Sequence, residues 1–259
     1  MGIGGLTAQL VALQAGAPDG RRVIANAIGG MARLAVDLGR INSKYDCALG
    51  ANLDPEVPVD RHIFVKRIRA WVNADGFLSP LDFKNLTAFQ GGTKPVWNFV
   101  ANAGDGRTVE IELRAEMVAG KNTTLFHFQR VPVKASPGGE AKLEVSVTVR
   151  ADIEDRNFHS ETKRNGGADF HFSSHLSSII SRDNKIADGF LFAPTTDRQL
   201  RVLTDRGEYH PQPEWCENIP HPVEQTRGQV GSGDAYSPGW FDLPLEFGQP
   251  VQLTLTAEL

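Results

Sequence analysis

The stretch Thr108-Val109-Glu110-Ile111-Glu112-Leu113-Arg114-Ala115-Glu116-Met117-Val118 sets apolar residues on one face and acids with an arginine on the other. A repeat of two belongs to the β-strand, and a strand with one wet face is the antiparallel habit. Working outward, the same period returns over residues 123–131, 142–150 and 251–257, and over 62–72 after the first few positions. Shorter candidates lie at 189–192, 198–203 and 239–245. Turn signals separate the runs: Asn73-Ala74-Asp75-Gly76, Gly104-Asp105-Gly106, Gly120-Lys121-Asn122 and Pro137-Gly138-Gly139. No helical period intervenes, so the pattern predicts a mainly β, antiparallel sandwich rather than a doubly wound sheet. The 259 residues suffice for one large domain of that kind.

Residues 1–42 depart from this pattern. Leu6, Leu10, Val11 and Leu13 recur at helical spacing, as do Val23, Ile24, Ala27, Ile28, Met31, Leu34 and Leu38, with Gly29-Gly30 interrupting the second run. One or two short N-terminal helices are expected there, followed by a sandwich domain over 43–259. Lys66, Arg67 and Arg69 come nearest to a basic cluster, and in an alternating run they read as the solvated face of a strand.

The formal net charge of −4 supplies no field to draw nucleic acid or an anionic membrane. No apolar run approaches the roughly 20 residues that span a bilayer. Residues 1–20 lack the basic region, apolar stretch and cleavage site of a secretory leader, so the expected location is the cytoplasm. There the sequons at Asn85 and Asn122 go unused, and two cysteines, Cys47 and Cys216, make no disulfide framework.

Two stretches, 152–184 and 208–238, are polar and irregular, and long loops in a compact domain are where function gathers. The first opens Asp152-Ile153-Glu154-Asp155-Arg156-Asn157-Phe158-His159. Paired carboxylates roughly 5–9.5 Å apart perform glycoside cleavage. Glu154 and Asp155 are neighbours, however, and extended backbone points them to opposite sides. The competing reading is a self-satisfied loop in which Arg156 pairs the acids and Asn157 caps a turn. His171 and His175 would share a helical face and offer a metal two ligands. With no HExxH and no cysteine pair, loop histidines are the simpler reading, and no metal or other cofactor is assigned. The second stretch sets Trp215 among prolines beside Glu214, Asn218 and His221. An indole covers a pyranose face while polar groups read the hydroxyls; the alternative is a tryptophan plugging one end of the sandwich. Gly231-Ser232-Gly233 is too short for a phosphate loop and no lysine follows it.

These segments carry a resemblance. Residues 43–53 (SKYDCALGANL), Pro58-Val59-Asp60-Arg61 and Arg69-Ala70-Trp71 are similar to the N-terminal domain of bacterial glycogen debranching enzymes of the amylo-α-1,6-glucosidase type. So are Asp152 to Arg156 with His159, Pro213-Glu214-Trp215, His221-Pro222 with Glu224 and Arg227-Gly228, and Ser237-Pro238-Gly239. The resemblance implies a β super-sandwich of the galactose-mutarotase-like type ahead of an (α/α)6 catalytic barrel that carries the glucosidase carboxylates. It implies no catalytic residue in this chain. The candidates for facing the α-glucan, glycogen included, or the barrel are Asp152, Glu154, Asp155, Arg156, His159, Glu214, Trp215, His221 and Arg227. Two alternatives stand beside it. One is a stand-alone aldose 1-epimerase, whose chemistry needs a histidine acid and a glutamate base on one sugar, drawn from His159, His171, His175, Glu154 and Glu214. The other is an autonomous carbohydrate-binding or protein-interaction module.

Overall fold

A computed structural model of the chain describes residues 21–54, 56–57, 61–132, 143–180 and 188–259. The helical spacing of residues 6–13 and the turn at 137–139 lie outside them. The alternating run is β8 (Thr108–Met117), which sits between β7 (Val96–Asn102) and β9 (Thr123–Val131). Beyond β7 lies β6 (Leu86–Gln90). Beyond β9 come β18 (Val251–Thr256), β13 (Leu200–Thr204), β12 (Asp188–Phe192) and β11 (Leu176–Ile179), eight strands among the described residues.

The facing sheet has ten strands among the described residues. β1 (Arg21–Ala25), β2 (Met31–Ala35), β3 (Cys47–Asn52) and β4 (Arg61–Ala74) are followed by β10 (Val145–Asn157), β16 (Ser232–Ser237) and β15 (Glu214–Pro220). β5 (Phe77–Pro80) folds back on β4, and β17 (Trp240–Pro244) pairs the first half of β10 and carries β14 (Glu208–His210). Every strand ladder is antiparallel. The fold is the expected antiparallel sandwich. Its core interleaves Ile111, Leu113, Phe126, Phe128, Leu253 and Leu255 of one sheet with Phe64, Ile68, Val72, Val147 and Val149 of the other, all fully or nearly fully buried. Each such side chain contributes about 1.5–3 kcal/mol on leaving water.

The expected helix over residues 23–38 is instead the β1–β2 hairpin. Ile24, Ala32, Leu34, Val36 and Leu38 are buried at alternate positions while Val23 is exposed. The chain reverses through Ala27 and Gly29, at φ 69° and 98°. Two alternating runs on either side of a turn had summed to a helical spacing. The helices of the described chain lie elsewhere, at α1 (Gly166–Ser174) and α2 (Pro222–Gln225). Asn165 caps α1 by accepting from the Ala168 amide at 3.0 Å. No described helix is long and apolar enough to cross a membrane.

The two irregular stretches also need correction. Residues 152–157 continue β10, 176–179 form β11, and 208–238 hold β14, β15, α2 and β16. Met31, Cys47 and Ile63 cluster apart from the main core while their neighbours Ala32, Ala48 and Phe64 belong to it. Successive strand residues face opposite ways, so the ten-stranded sheet is buried on its outer face too.

Candidate functional site

The outer face of the ten-stranded sheet is where the charged residues gather, and a pair of β-bulges puts them there. Along β4 and β10, Asp152 opposes Arg67, Ile153 opposes Val65, and Arg156 opposes Ile63. Lys66 on one strand and Glu154-Asp155 on the other are thereby left off the ladder. Lys66 is therefore not on a solvated face: it is 1% exposed, and its ammonium donates to the Ser43 and Lys44 carbonyls at 3.1 and 2.8 Å. Burial pulls its pKa down to about 8 against the opposing pull of the Glu154 carboxylate.

Other buried ions converge on the same place. Arg156 Nη2 donates to the Lys44 carbonyl at 2.6 Å, and Nη1 to those of Phe158 and Ser160 at 3.1 and 2.8 Å. Its Nε forms an ion pair with Glu154 Oε2 at 2.9 Å, out of hydrogen-bond alignment. Asp46 accepts from the amides of Asn42 and Ser43 at 2.8 and 3.0 Å. Glu224 of α2, fully buried, accepts from the Ser43 hydroxyl at 2.7 Å and the Lys44 amide at 3.1 Å. Lys44 Nζ donates to the His159 carbonyl at 2.7 Å and to Glu161 at 2.9 Å. Of the side chains these loops carry, Tyr45 is half-buried, Phe158 is half-buried against Met31, Cys47 and Ile63, and His159 is exposed.

A second assembly centres on Asp155. His62 Nε2 and His171 Nε2 lie 2.5 and 2.9 Å from its oxygens, and Arg198 grips both at 2.9 and 3.0 Å. The ionised carboxylate can only accept, so each ring donates its Nε2 hydrogen. Burial alone would raise the Asp155 pKa; the hydrogen bonds from His62 and Arg198 more than reverse that and hold it well below the usual carboxylate range. This cluster joins β4, β10, α1 and the residues ahead of β13.

A third assembly surrounds Asp152, which takes Arg67 at 2.7 Å and both nitrogens of an Arg69 fork. Arg69 also reaches Glu214 at 2.6 Å, with Arg150 3.7 Å from the same carboxylate. Trp215 is half-buried, its indole N–H donating to Asp169 and its ring set edge-on to Phe172 and Tyr236 at 5.5 and 5.2 Å. Arg164 bridges Asp169 and Glu217.

Of the predicted residues, Asp152, Glu154, Arg156 and His221 are buried, and Asp155 is nearly so. Glu154 and Asp155 do diverge, as neighbours on extended chain should, and Arg156 pairs only the former. His159, Glu214 and Arg227 are exposed. Of the five residues that an epimerase would recruit, His171 and His175 are neighbours, with ring centroids 5.2 Å apart, and each of the five has its own partner. His171 serves Asp155, Glu154 faces Arg156, Glu214 faces Arg69, His159 lies 3.2 Å from the Tyr45 hydroxyl, and His175 Nδ1 donates to the His171 carbonyl. Among the described residues no set of three or more His, Cys, Asp and Glu could hold a metal. Burial pushes the Cys216 thiol up to about 11, away from the reactive thiolate. Sequence reasoning missed Lys44, Tyr45, Lys66 and Phe158. No local signal marked Lys66, because its burial follows from the bulge that takes it off the β4–β10 ladder.

The chain matches the family model described as glycogen debranching enzyme N terminal over residues 22–252. No curated protein matches it. Among solved structures it resembles a bacterial glucoamylase complexed with acarbose, at 10% identity and a TM-score of 0.40. That likeness covers 91% of this chain and 33% of the other, so the chain spans about a third of that protein's length. The family match takes in both sheets and all three charged assemblies, and the chain belongs to the glycogen debranching enzyme N-terminal family.

Proposed function

We propose that this chain is the noncatalytic β-sandwich of a glycogen debranching enzyme, an α-1,6-glucosidase of the cytoplasm. It stands beside an (α/α)6 catalytic domain of the same polypeptide and supports or lines the cleft that takes the α-glucan branch. One observation carries the noncatalytic part. The carboxylates that sequence weighed as a cleavage pair, Glu154 and Asp155, are buried or nearly so and committed to arginine or histidine. A general acid must hold a proton near neutral pH, and a nucleophile must reach the sugar. Asp155, held by His62, His171 and Arg198, cannot keep that proton, and Glu154, buried beside Arg156, cannot reach the sugar.

The test is direct. The purified chain is incubated with a glycogen limit dextrin and free glucose is assayed. No release above the blank is expected, and sustained release that scales with chain concentration would overturn the noncatalytic reading.

A further inference from the structure

Buried ions are a poor way to stabilise a fold, since apolar side chains of equal volume often do as well or better. Here Lys44, Asp46, Lys66, Arg156 and Glu224 are all buried, and most of their hydrogen bonds go to the backbone of two short loops, 42–46 and 157–161. Four carbonyls of the second loop and two of the first are held by cations, and two amides of the first by Asp46. The network fixes the shape of a small area of surface. A group already held in its bound geometry loses little freedom when a ligand arrives, so such fixing belongs to a binding site.

The surface that is fixed is aromatic. Tyr45 and Phe158 lie 4.7 Å apart, and His159 stands edge-on to both at 5.8 and 5.5 Å. Lys44 and Arg61 reach over the Tyr45 and Phe158 rings at 5.4 and 5.6 Å. Lys44 is paired with Glu161, and Arg61 donates to the Gly29 carbonyl. The patch thus offers ring faces and edges with hydroxyl, imidazole and carboxylate groups at the margin, and its one cation without an acidic partner among the described residues, Arg61, is turned to a backbone carbonyl. Those are the groups that meet a neutral sugar, whose C–H face packs on a ring while its hydroxyls take hydrogen bonds.

We infer that Tyr45, Phe158 and His159 form a contact site for an α-linked glucose chain, preset by the buried ions beneath. This rests on the proposed place of the domain in a glucan-processing enzyme. It moves the point of contact from the Trp215 loop to the loops at 42–46 and 157–161.

Native electrophoresis through gels holding dissolved glycogen measures the binding, since affinity appears as retardation. The chain is compared with Tyr45→Ala, His159→Ala and Tyr45→Phe, and with Trp215→Ala at the other candidate position. The exposed His159 can be truncated without disturbing the fold, and Tyr45→Phe keeps the ring. Retardation of the unaltered chain is expected, weakened about tenfold by Tyr45→Ala and less by Tyr45→Phe. His159→Ala weakens it as well, and Trp215→Ala leaves it unchanged. Retardation that survives both alanine changes at 45 and 159 would overturn the assignment by placing the glucan elsewhere. Absence of retardation in the unaltered chain would also overturn it, and would leave the patch to a protein partner. Neither result touches the noncatalytic reading, which is decided by glucose release.

Discussion

At the scale of one residue, His221 shows how burial turns into pH dependence. It precedes α2 with 1% of its surface exposed, and neither ring nitrogen meets a hydrogen-bond partner among the described residues. Burial first, then the positive charges of Lys66, Arg156, Lys163 and Lys44, push its pKa down to about 3 from the ordinary 6.5. The folded chain therefore carries a neutral imidazole through a range in which the unfolded chain is protonated. The unfolded state holds the extra proton between pH 6.5 and about 3, so stability is whole above 6.5 and falls as the pH drops through that window. The limiting slope is about 1.4 kcal/mol per pH unit. From pH 7 to pH 5 the histidine alone should remove about 2 kcal/mol from the urea-unfolding free energy. His221→Leu should abolish that part of the slope, and at pH 7 should leave stability level or raised, because it removes two unpartnered buried nitrogens. An unchanged slope in the variant would show that the ring is protonated in place or hydrated.

At the scale of the element, the β1–β2 hairpin depends on a turn with no room. A Cβ on Gly30 would fall 2.4 Å from Asn26 Nδ2 and 2.6 Å from Asn122 Oδ1, the two atoms that bond each other at 3.1 Å. Gly30→Ala should cost about 1–3 kcal/mol by urea unfolding, as overpacking does, although the residue is not at positive φ. The same hairpin marks the limit of what sequence can carry. β8, β9 and β18 were legible because one face of each is wet, which prints a period of two. β3 is buried at every position and prints no period, and β15 is an edge strand broken by a register shift at Cys216 and Ile219. The candidate site was legible only as residue types. Asp152, Glu214 and Trp215 announced polar and aromatic chemistry, yet the groups that determine their behaviour lie far along the chain. Arg69 meets Glu214 across 145 positions, and Lys44 meets Glu224 across 180. No local window contains such pairs, and the bulges that bury Lys66 and Glu154 appear only once two strands are aligned.

At the scale of the molecule, the question is whether residues 21–42 fold with the sandwich or beside it. Ile24, Leu34 and Val36 lie in the same buried cluster as Phe128 and Leu255 of the opposite sheet. The fully buried Trp97 of β7 donates its indole N–H to the Val36 carbonyl at 3.0 Å. At the hairpin turn, Asn26 bonds Asn122, Asn122 donates to the Asn52 carbonyl at 2.8 Å, and the Gly120 amide donates to the Asn26 carbonyl at 2.7 Å. These links tie the hairpin to β3 and to the β8–β9 turn at once. Opening it exposes core on both sheets and strands the Trp97 nitrogen, and each of those costs what global opening costs. Native-state hydrogen exchange should therefore give the β2 amides an opening free energy within about 1 kcal/mol of that for β4 and β10. The edge strands β11 and β15, mostly outside the core, should open more easily. β2 amides that exchange several kcal/mol more readily than those of β4 would make the hairpin a detachable flap, and the unit that folds would then begin near residue 43.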